Sequence, residues 1–343
     1  MNPVYFKCIL QGHLDFQNEK SYQKMLEMYQ YKLENFFKSD VILKAEICFK
    51  EDSLSFIVPR TVLQTTKKSF QNTVELCQYI AQFAITGQIG AWMLEEGQIL
   101  QYHHIEPVAE KAAIQAYIRG RSLSKQKGSE EEAITALSEA IEKYDKHAQA
   151  YERRGYVNVR LGKLKDAMYD FTKSIKLDEG NANAYCGRAR IYLLEKKYDE
   201  AILDLIQATS KSLALQPIYW TATRMRGECY LQLKNYDKAA FDLKLFYNRS
   251  FTVEDSNFKW KKYGGLLYAQ ALYGAKDYKN ALEVLHQIPK YEDPQTAIEE
   301  NDYWILLAKT KKEFGKPGYL ADLQTAADKG STLAVELLKS WMK

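Results

Sequence analysis

Two stretches of the sequence decide the fold: residues 148–171, AQAYERRGYVNVRLGKLKDAMYDF, and residues 182–205, ANAYCGRARIYLLEKKYDEAILDL. They match at four positions, each 34 residues apart: Tyr151 with Tyr185, Gly155 with Ala189, Ala167 with Ala201, and Phe171 with Leu205. A fixed period of roughly 20 to 50 residues is typical of an array of similar units, none of which buries its apolar face alone. The pattern therefore predicts a stack of helical pairs.

The pattern continues towards the C-terminus. It recurs around Gly227 and Leu243, around Ala269 and Leu285, and in an imperfect copy around Ala308. An aromatic residue at the fourth position, small residues at the eighth and twentieth, and a large apolar residue at the twenty-fourth form the tetratricopeptide signature, which this part of the chain resembles. The resemblance implies two antiparallel helices per repeat and a superhelical solenoid.

One further repeat precedes the regular pair. Gly120 occupies its small position, and Ala133 and Leu137 come into register if the turn near Gly128 holds one extra residue. Residues 109–343 are therefore expected to form about six helical pairs and a capping helix from Ser331 onward, because the last apolar face of a solenoid needs a cover.

Residues 1–108 have a different rhythm, which predicts a separate domain. Apolar and β-branched runs predict strands over residues 4–10, 41–49, 54–58, 91–94 and 98–102. Helical periodicity follows Asn18 and again precedes Gly87. The order strand, helix, two strands, helix, strand, with one added strand, is typical of a ferredoxin-like split βαβ fold. The expected fold class is thus an α+β domain followed by an all-α solenoid.

Composition limits the function only loosely. Of the 343 residues, 48 are basic and 44 acidic, so the net charge of +4 (48 − 44) is too small to indicate nucleic acid binding. The five cysteines are scattered singly, which favours a reduced, cytoplasmic protein over a disulfide framework. Neither a signal peptide nor an apolar run of about 18 residues is recognisable, so we expect no membrane insertion. No motif implies a cofactor or a metal.

The resemblance also implies where a ligand would lie. In the family, the first helices of the repeats line a concave groove that contacts peptides. The residues on that face here are Arg121, Arg153, Tyr156, Arg160, Asn183, Cys186, Arg190 and Arg224. Because arginine presents a planar fork that fits carboxylates, we expect an acidic or C-terminal peptide segment of a protein partner. The alternative is that these arginines are solvated or pair with neighbours such as Glu152 and Glu228.

The sequence does not reproduce the carboxylate clamp by which some tetratricopeptide domains hold chaperone tails. That clamp requires lysine and asparagine at the fifth and ninth positions of one repeat, where this chain has Glu152 and Tyr156. It also requires asparagine at the sixth position of the next repeat, where this chain has Gly187. A chaperone adaptor is therefore disfavoured.

Catalysis would have to reside in the N-terminal domain. His103 and His104, near Glu106, are the most suggestive residues, but neighbouring side chains on a strand point to opposite faces and cannot easily share a metal. Gly87 and Gly90 lack the continuation of a phosphate-binding loop. RNA binding by strand aromatics is a weaker alternative because the characteristic RNA-binding motif is absent.

The sequence therefore predicts a non-catalytic adaptor or scaffold that binds its partner in the groove of the repeats. The N-terminal domain is expected to give a second contact or to mediate self-association through a sheet edge. The competing prediction is an enzyme with its active site in the N-terminal domain, whose repeats recruit the substrate.

Overall fold

The computed structural model describes residues 4–109, 111–288 and 300–342, and its N-terminal part is an antiparallel sheet with helices on one face. The strands are β1 (Tyr5–Asp15), β2 (Phe49–Lys50), β3 (Ser55–Thr66), β4 (Thr86–Glu95) and β5 (Gln98–Ile105). The helices are α1 (Glu19–Asn35), α2 (Ala45–Cys48) and α3 (Lys67–Ala81). The strand order is β2-β3-β1-β4-β5, with every neighbouring pair antiparallel. The first four strands with α1 and α3 form the predicted split βαβ arrangement, and β5 is the added strand.

Local sequence signals fix the two long helices of this domain. The side chain of Asn18 accepts a hydrogen bond from the Ser21 N–H at 2.9 Å and so caps α1, and Thr66 caps α3 in the same way through Ser69. The apolar faces of both helices then cover the same side of the sheet. The buried Tyr29 hydroxyl donates to the Leu43 carbonyl at 2.7 Å, which anchors α1 to the segment before α2.

The strand predicted over residues 41–49 is wrong for most of its length. Only Phe49 and Lys50 form β2, and the residues before them make the short helix α2. The cause lies in α3, whose Thr73 hydroxyl accepts a hydrogen bond from the Ile42 N–H at 2.9 Å. The amide of Asn72 also donates to the Asp40 carbonyl at 2.9 Å, so this backbone is bound by side chains instead of a neighbouring strand.

The described residues after the sheet form six consecutive helical pairs and one final helix, as predicted. The first six helices are α4 (Ala112–Leu123), α5 (Glu130–Lys143), α6 (Ala148–Arg160), α7 (Leu164–Leu177), α8 (Ala182–Leu194) and α9 (Tyr198–Lys211). The others are α10 (Pro217–Gln232), α11 (Tyr236–Asn248), α12 (Lys261–Gly274), α13 (Tyr278–Gln287), α14 (Glu300–Glu313), α15 (Tyr319–Asp328) and α16 (Thr332–Trp341). The last helix packs on the pair before it through Ala334, in the place expected for the cap.

Tertiary contacts divide the chain into two compact units, with the boundary after Gly180. The first unit contains the sheet and the helices up to α7, and the second contains α8 to α16. Strands give way to helices between Ile105 and Ala112, and we retain residues 1–108 and 109–343 as the proposed domains. Among the described residues, no helix is both long and apolar enough to cross a membrane.

The two helices of a pair approach closely where a small residue of the first meets a large residue of the second. A Cβ on Gly155 would lie 2.9 Å from the Phe171 ring, and a Cβ on Gly227 would lie 2.6 Å from Leu243 Cγ. Such distances leave no space for a side chain, so the glycines permit the approach. This contact explains why the repeated sequence pattern requires small residues at the eighth position.

An ion pair that the sequence analysis did not anticipate links the two helices of three successive pairs. It joins the seventh and twenty-third positions in Arg154–Asp170, Arg188–Asp204 and Arg226–Asp242. In the third of these, the guanidinium donates from Nε and Nη2 to the two carboxylate oxygens at 2.7 and 2.8 Å. The aspartates are buried. A two-bond contact of this kind fixes the orientation of both helices.

Removal of one such carboxylate tests this role. We expect Asp242→Ala to lower the free energy of unfolding by about 1–3 kcal/mol, because Arg226 keeps its charge in a largely buried place without its acceptor. The control is Glu139→Ala, which breaks the exposed pair with Arg119 and should cost less than about 1 kcal/mol. Urea unfolding monitored by circular dichroism measures both changes, and equal losses would contradict the proposed role.

The turn within a helical pair contains a residue with positive φ. Glycine takes this place between α6 and α7, where Gly162 has φ 73°. Lysines take it in the next three pairs, with φ 58° at Lys196, 57° at Lys234 and 63° at Lys276. A residue with a Cβ is strained in this left-handed region by about 1–2 kcal/mol, whereas glycine is not.

Exchange of these residues should therefore change stability in opposite directions. We expect Lys234→Gly to raise the free energy of unfolding by about 0.5–1 kcal/mol, after allowance for the greater freedom of glycine in the unfolded chain. We expect Gly162→Lys to lower it by a similar amount. Thermal unfolding compares the two variants with the wild type, and a destabilised Lys234→Gly variant would refute the strain at this turn.

Candidate functional site

Five residues of the second unit form a group that we call the arginine cluster: Arg190, Arg224, Glu228, Trp260 and Tyr263. Arg224, on α10, is only 4% exposed. Its guanidinium carbon lies 4.5 Å from the centre of the Trp260 ring and 5.8 Å from that of Tyr263. Its Nε has no hydrogen-bond partner among the described residues, and burial lowers the pKa of the group. Arg224 is therefore a cation held mainly by aromatic rings.

The single carboxylate of the cluster is shared. One oxygen of Glu228 lies 3.4 Å from Nη1 of Arg224, and the other accepts a hydrogen bond from the Tyr263 hydroxyl at 3.0 Å. Arg190, on α8, is half-buried, and within the described residues it forms neither a hydrogen bond nor an ion pair. The cluster thus contains two cations and one anion, which leaves one positive charge without a counterion.

A connecting segment outside the helices brings Trp260 to this position. Residues 249–260 join α11 to α12 and end in one short 3₁₀ turn, Phe258–Trp260. Within this segment the buried Asn257 donates to the Pro217 carbonyl at 2.8 Å and accepts from the Thr221 hydroxyl at 2.8 Å. These bonds anchor the segment to α10, and Trp260 consequently covers Arg224. The sequence analysis placed Arg224 on an open groove and missed this cover.

The other two predicted residues of this unit lie on α8. Cys186 is buried, with its Sγ 3.7 Å from the sulfur of Met225. Burial raises the pKa of its thiol to about 11, although the charges of Arg190 and Arg224 oppose that rise. The thiol therefore stays protonated at neutral pH and is a poor nucleophile. Asn183 is half-buried on the same helix.

In the first unit, the three predicted arginines all have partners. Arg121 donates to the carboxylate of Glu106. Arg153 Nε lies 3.6 Å from the nearly buried carboxylate of Glu152. Arg160 donates to the Ser124 carbonyl at 2.6 Å and also lies 4.0 Å from Glu130. Tyr156 packs its ring edge-on against Phe171, with the ring centres 5.0 Å apart.

The two histidines singled out as catalytic candidates do not converge. The ring of His103 packs against Phe70, on the helix-covered face of the sheet, with the ring centres 6.0 Å apart. Nε2 of His104 lies 3.4 Å from Glu106. The hydrogen bonds from His104 and Arg121 lower the pKa of Glu106 to about 2 despite its burial, so this group stays ionised. The described residues contain no cluster of side chains suited to hold a metal.

A small pocket in the first unit lies between the start of β4 and helix α4, and neither His103 nor His104 lines it. Its polar residues include Thr86, Tyr117 and His147. Nδ1 of His147 lies 3.1 Å from the Thr86 hydroxyl, and its ring centre lies 4.6 Å from that of Tyr117. Burial lowers the pKa of His147 to about 4, so its imidazole is neutral at pH 7. These groups satisfy one another and link the sheet to the first helical pairs.

His13, in the same unit, is protonated where His147 is neutral. His13, on β1, lies 3.5 Å from the carboxylate of Asp15 and 4.0 Å from that of Asp178, the residue that ends α7. Burial alone would lower the pKa of His13, but the hydrogen bond that its ring donates to Asp15 and the charges of both carboxylates raise it to about 9. An imidazolium thus joins the sheet to the second helical pair.

His13 and His147 predict that the free energy of unfolding falls at both alkaline and acidic pH. Protonated His13 stabilises the folded state fully below pH 6.5, its reference pKa, and this contribution is lost as the pH rises to about 9. Neutral His147 stabilises the folded state above pH 6.5, and this contribution is lost as the pH falls to about 4. We therefore expect His13→Gln to weaken the alkaline dependence and His147→Gln the acidic dependence.

Urea unfolding across this pH range measures both effects. The control is His286→Gln, which replaces an exposed histidine of the second unit. It should leave the acidic and the alkaline dependence of the free energy of unfolding unchanged. If His13→Gln retained the alkaline decline of the wild type, the charge assigned to His13 would be wrong.

Comparisons with known proteins agree with the helical pairs. Models of the tetratricopeptide repeat match residues 126–182 and 182–210. Over 58 residues the chain is 43% identical to human DnaJ homolog subfamily C member 7, a match that covers 17% of this chain and 12% of that protein. Over 155 residues it is 30% identical to human tetratricopeptide repeat protein 34, with coverages of 43% and 26%. The chain therefore spans only a small part of these relatives.

A solved structure shares the fold. It comes from a study entitled functional characterization of Pseudomonas aeruginosa pilF and superposes with a TM-score of 0.54 at 20% identity, covering 67% of this chain and 99% of its own. The sequence matches lie on α5 to α9, and the later helices continue the same succession of pairs. Residues 126–210 of this chain match the tetratricopeptide repeat, and the helical pairs around them share its fold.

Proposed function

We propose that this protein is a non-catalytic adaptor or scaffold whose second unit binds an acidic segment of a partner protein at the arginine cluster. Tetratricopeptide relatives indicate a role in protein–protein interaction. The observation that carries the more specific proposal is the charge of the cluster, where Arg224 lies beside the single carboxylate of Glu228 and interacts with the second positive charge, that of Arg190. An aspartate, a glutamate or a C-terminal carboxylate of the partner would supply the second anion.

Arg190 makes the first contact in this proposal, because it is partly exposed and lacks a partner among the described residues. Its planar guanidinium can donate two parallel hydrogen bonds to one carboxylate. Arg224 contributes charge from beneath Trp260, where the aromatic rings keep it in one orientation. A fixed cation loses little conformational freedom when the anion arrives, which favours binding.

The arginines of the first unit have a different role in this proposal. Arg121, Arg153 and Arg160 already interact with acidic side chains of the same unit. An incoming carboxylate would have to displace those partners, which reduces the gain from binding. We therefore assign them to the structure of the first unit. For the sheet we propose self-association, and for the whole protein a cytoplasmic location.

A fluorescent peptide array tests the proposal. The probes are labelled acidic peptides of varied sequence with free C-termini, the same peptides with C-terminal amides, and versions with asparagine and glutamine in place of the acids. We expect the acidic peptides to bind preferentially and Arg190→Gln to weaken binding at least about tenfold, because charge-assisted hydrogen bonds contribute about 1.5–3 kcal/mol. Fluorescence anisotropy of the leading peptides measures the dissociation constants.

The matched control is Lys244→Gln, which removes one exposed positive charge from α11, outside the arginine cluster. It should leave the dissociation constant within about twofold of the wild type, since distant exposed charges are screened by salt. If neutral peptides bound as tightly as acidic ones, if no acidic peptide bound, or if both substitutions weakened binding equally, the arginine cluster would not be the site.

A further inference from the structure

Strand β5 forms an open edge of the sheet in the first unit. It pairs with β4 on one side, and no other described segment pairs with its outer side. Three of its apolar side chains are half exposed: Ile99 at 46%, Leu100 at 46% and Tyr102 at 49%. The ring of Tyr102 stacks on that of Trp92 at 5.1 Å between centres, which holds this apolar surface in place. The strand therefore presents both unpaired backbone groups and apolar area.

The opposite edge of the same sheet is built differently. Strand β2 has only two residues, and one of them is Lys50. The exposed acidic residues Glu51 and Asp52 follow it directly. Short length and charge are the usual protections of an edge strand against further pairing. Residues 57–66 of β3 extend beyond β2 and pair with no described strand on that side, but they include Pro59, which has no N–H to donate, and the charged Arg60. The sheet is thus protected at this edge and open at β5.

The sequence of β5 is complementary to itself. Residues 98–105, QILQYHHI, contain no lysine, arginine, aspartate or glutamate. Two copies related by a two-fold axis can therefore pair antiparallel without placing formal like charges opposite each other. In such a pair the half-exposed apolar residues of one strand cover those of the other, which removes apolar surface from water.

We propose that β5 pairs antiparallel with β5 of a second copy of this chain, joining two five-stranded sheets into one continuous sheet. This inference deepens the proposed self-association and is independent of the arginine cluster. An acidic partner, as proposed for the second unit, is a poor occupant of this edge, because β5 has no lysine or arginine to pair with it and the carboxylate of Glu106 lies 3.4 Å from His104. A second copy supplies the neutral, apolar strand that this edge requires.

Sedimentation velocity of the full chain over a range of concentrations tests the pairing. We expect a reversible dimer in the wild type and a monomer in the double variant Ile99→Lys, Leu100→Lys, because the two-fold axis brings four added positive charges together. The control is the double variant Ile57→Lys, Val62→Lys, which adds the same charges at exposed apolar positions of β3, a strand that β1 and β4 separate from β5. It should remain dimeric.

Hydrogen exchange separates loss of pairing from loss of fold. In the edge variant we expect faster exchange only for β5 amides, while β1 and β4 stay as protected as in the wild type. Arg190→Gln should leave the dimer unchanged. The test of dimer formation is therefore separate from the test of peptide binding at the arginine cluster. A wild type that is monomeric at all concentrations, or an edge variant that remains dimeric with its sheet intact, would overturn the proposal.

Discussion

The contact between a small residue and a large one inside each helical pair is the constraint on which the repeat region depends. Where Gly227 meets Leu243, the first helix can come close enough for the second to fill the space that a side chain would occupy. The same approach brings the preceding residues of both helices, Arg226 and Asp242, within bidentate hydrogen-bond distance. The ion pair is therefore a consequence of the close approach and also reinforces it, because a fork-shaped contact tolerates little sliding.

The arginine cluster arises where this regular geometry is interrupted. Residues 249–260 lengthen the connection between two pairs, and Asn257 fastens that connection to α10. Trp260 then lies over Arg224. Burial of a guanidinium under a ring is tolerated because the ring face attracts the cation. The longer connection thus holds the charge of Arg224 in one buried position.

The sequence predicted those features that follow from local periodicity. Spacing of small and large residues such as Gly155 and Phe171 located the helical pairs, and apolar, β-branched runs located four of the five strands. Contacts between residues distant in sequence could not be predicted in this way. The hydrogen bond from the Ile42 N–H to the Thr73 hydroxyl binds a segment that was predicted as a strand, and a short helix follows it. Nothing in the spacing of Arg224 indicated that Trp260 would cover it. Charge partners also depend on tertiary structure.

The Arg–Asp contact lies within one helical pair and not between two pairs. This location has a consequence for the gain or loss of whole repeats during evolution. Arg188 and Asp204 lie in one stretch of sequence shorter than a single period, so a duplication or deletion of one period carries both partners together. A copied unit arrives with its buried charge already neutralised. Lengthening or shortening of the array by whole units therefore leaves no aspartate of this contact buried without its arginine.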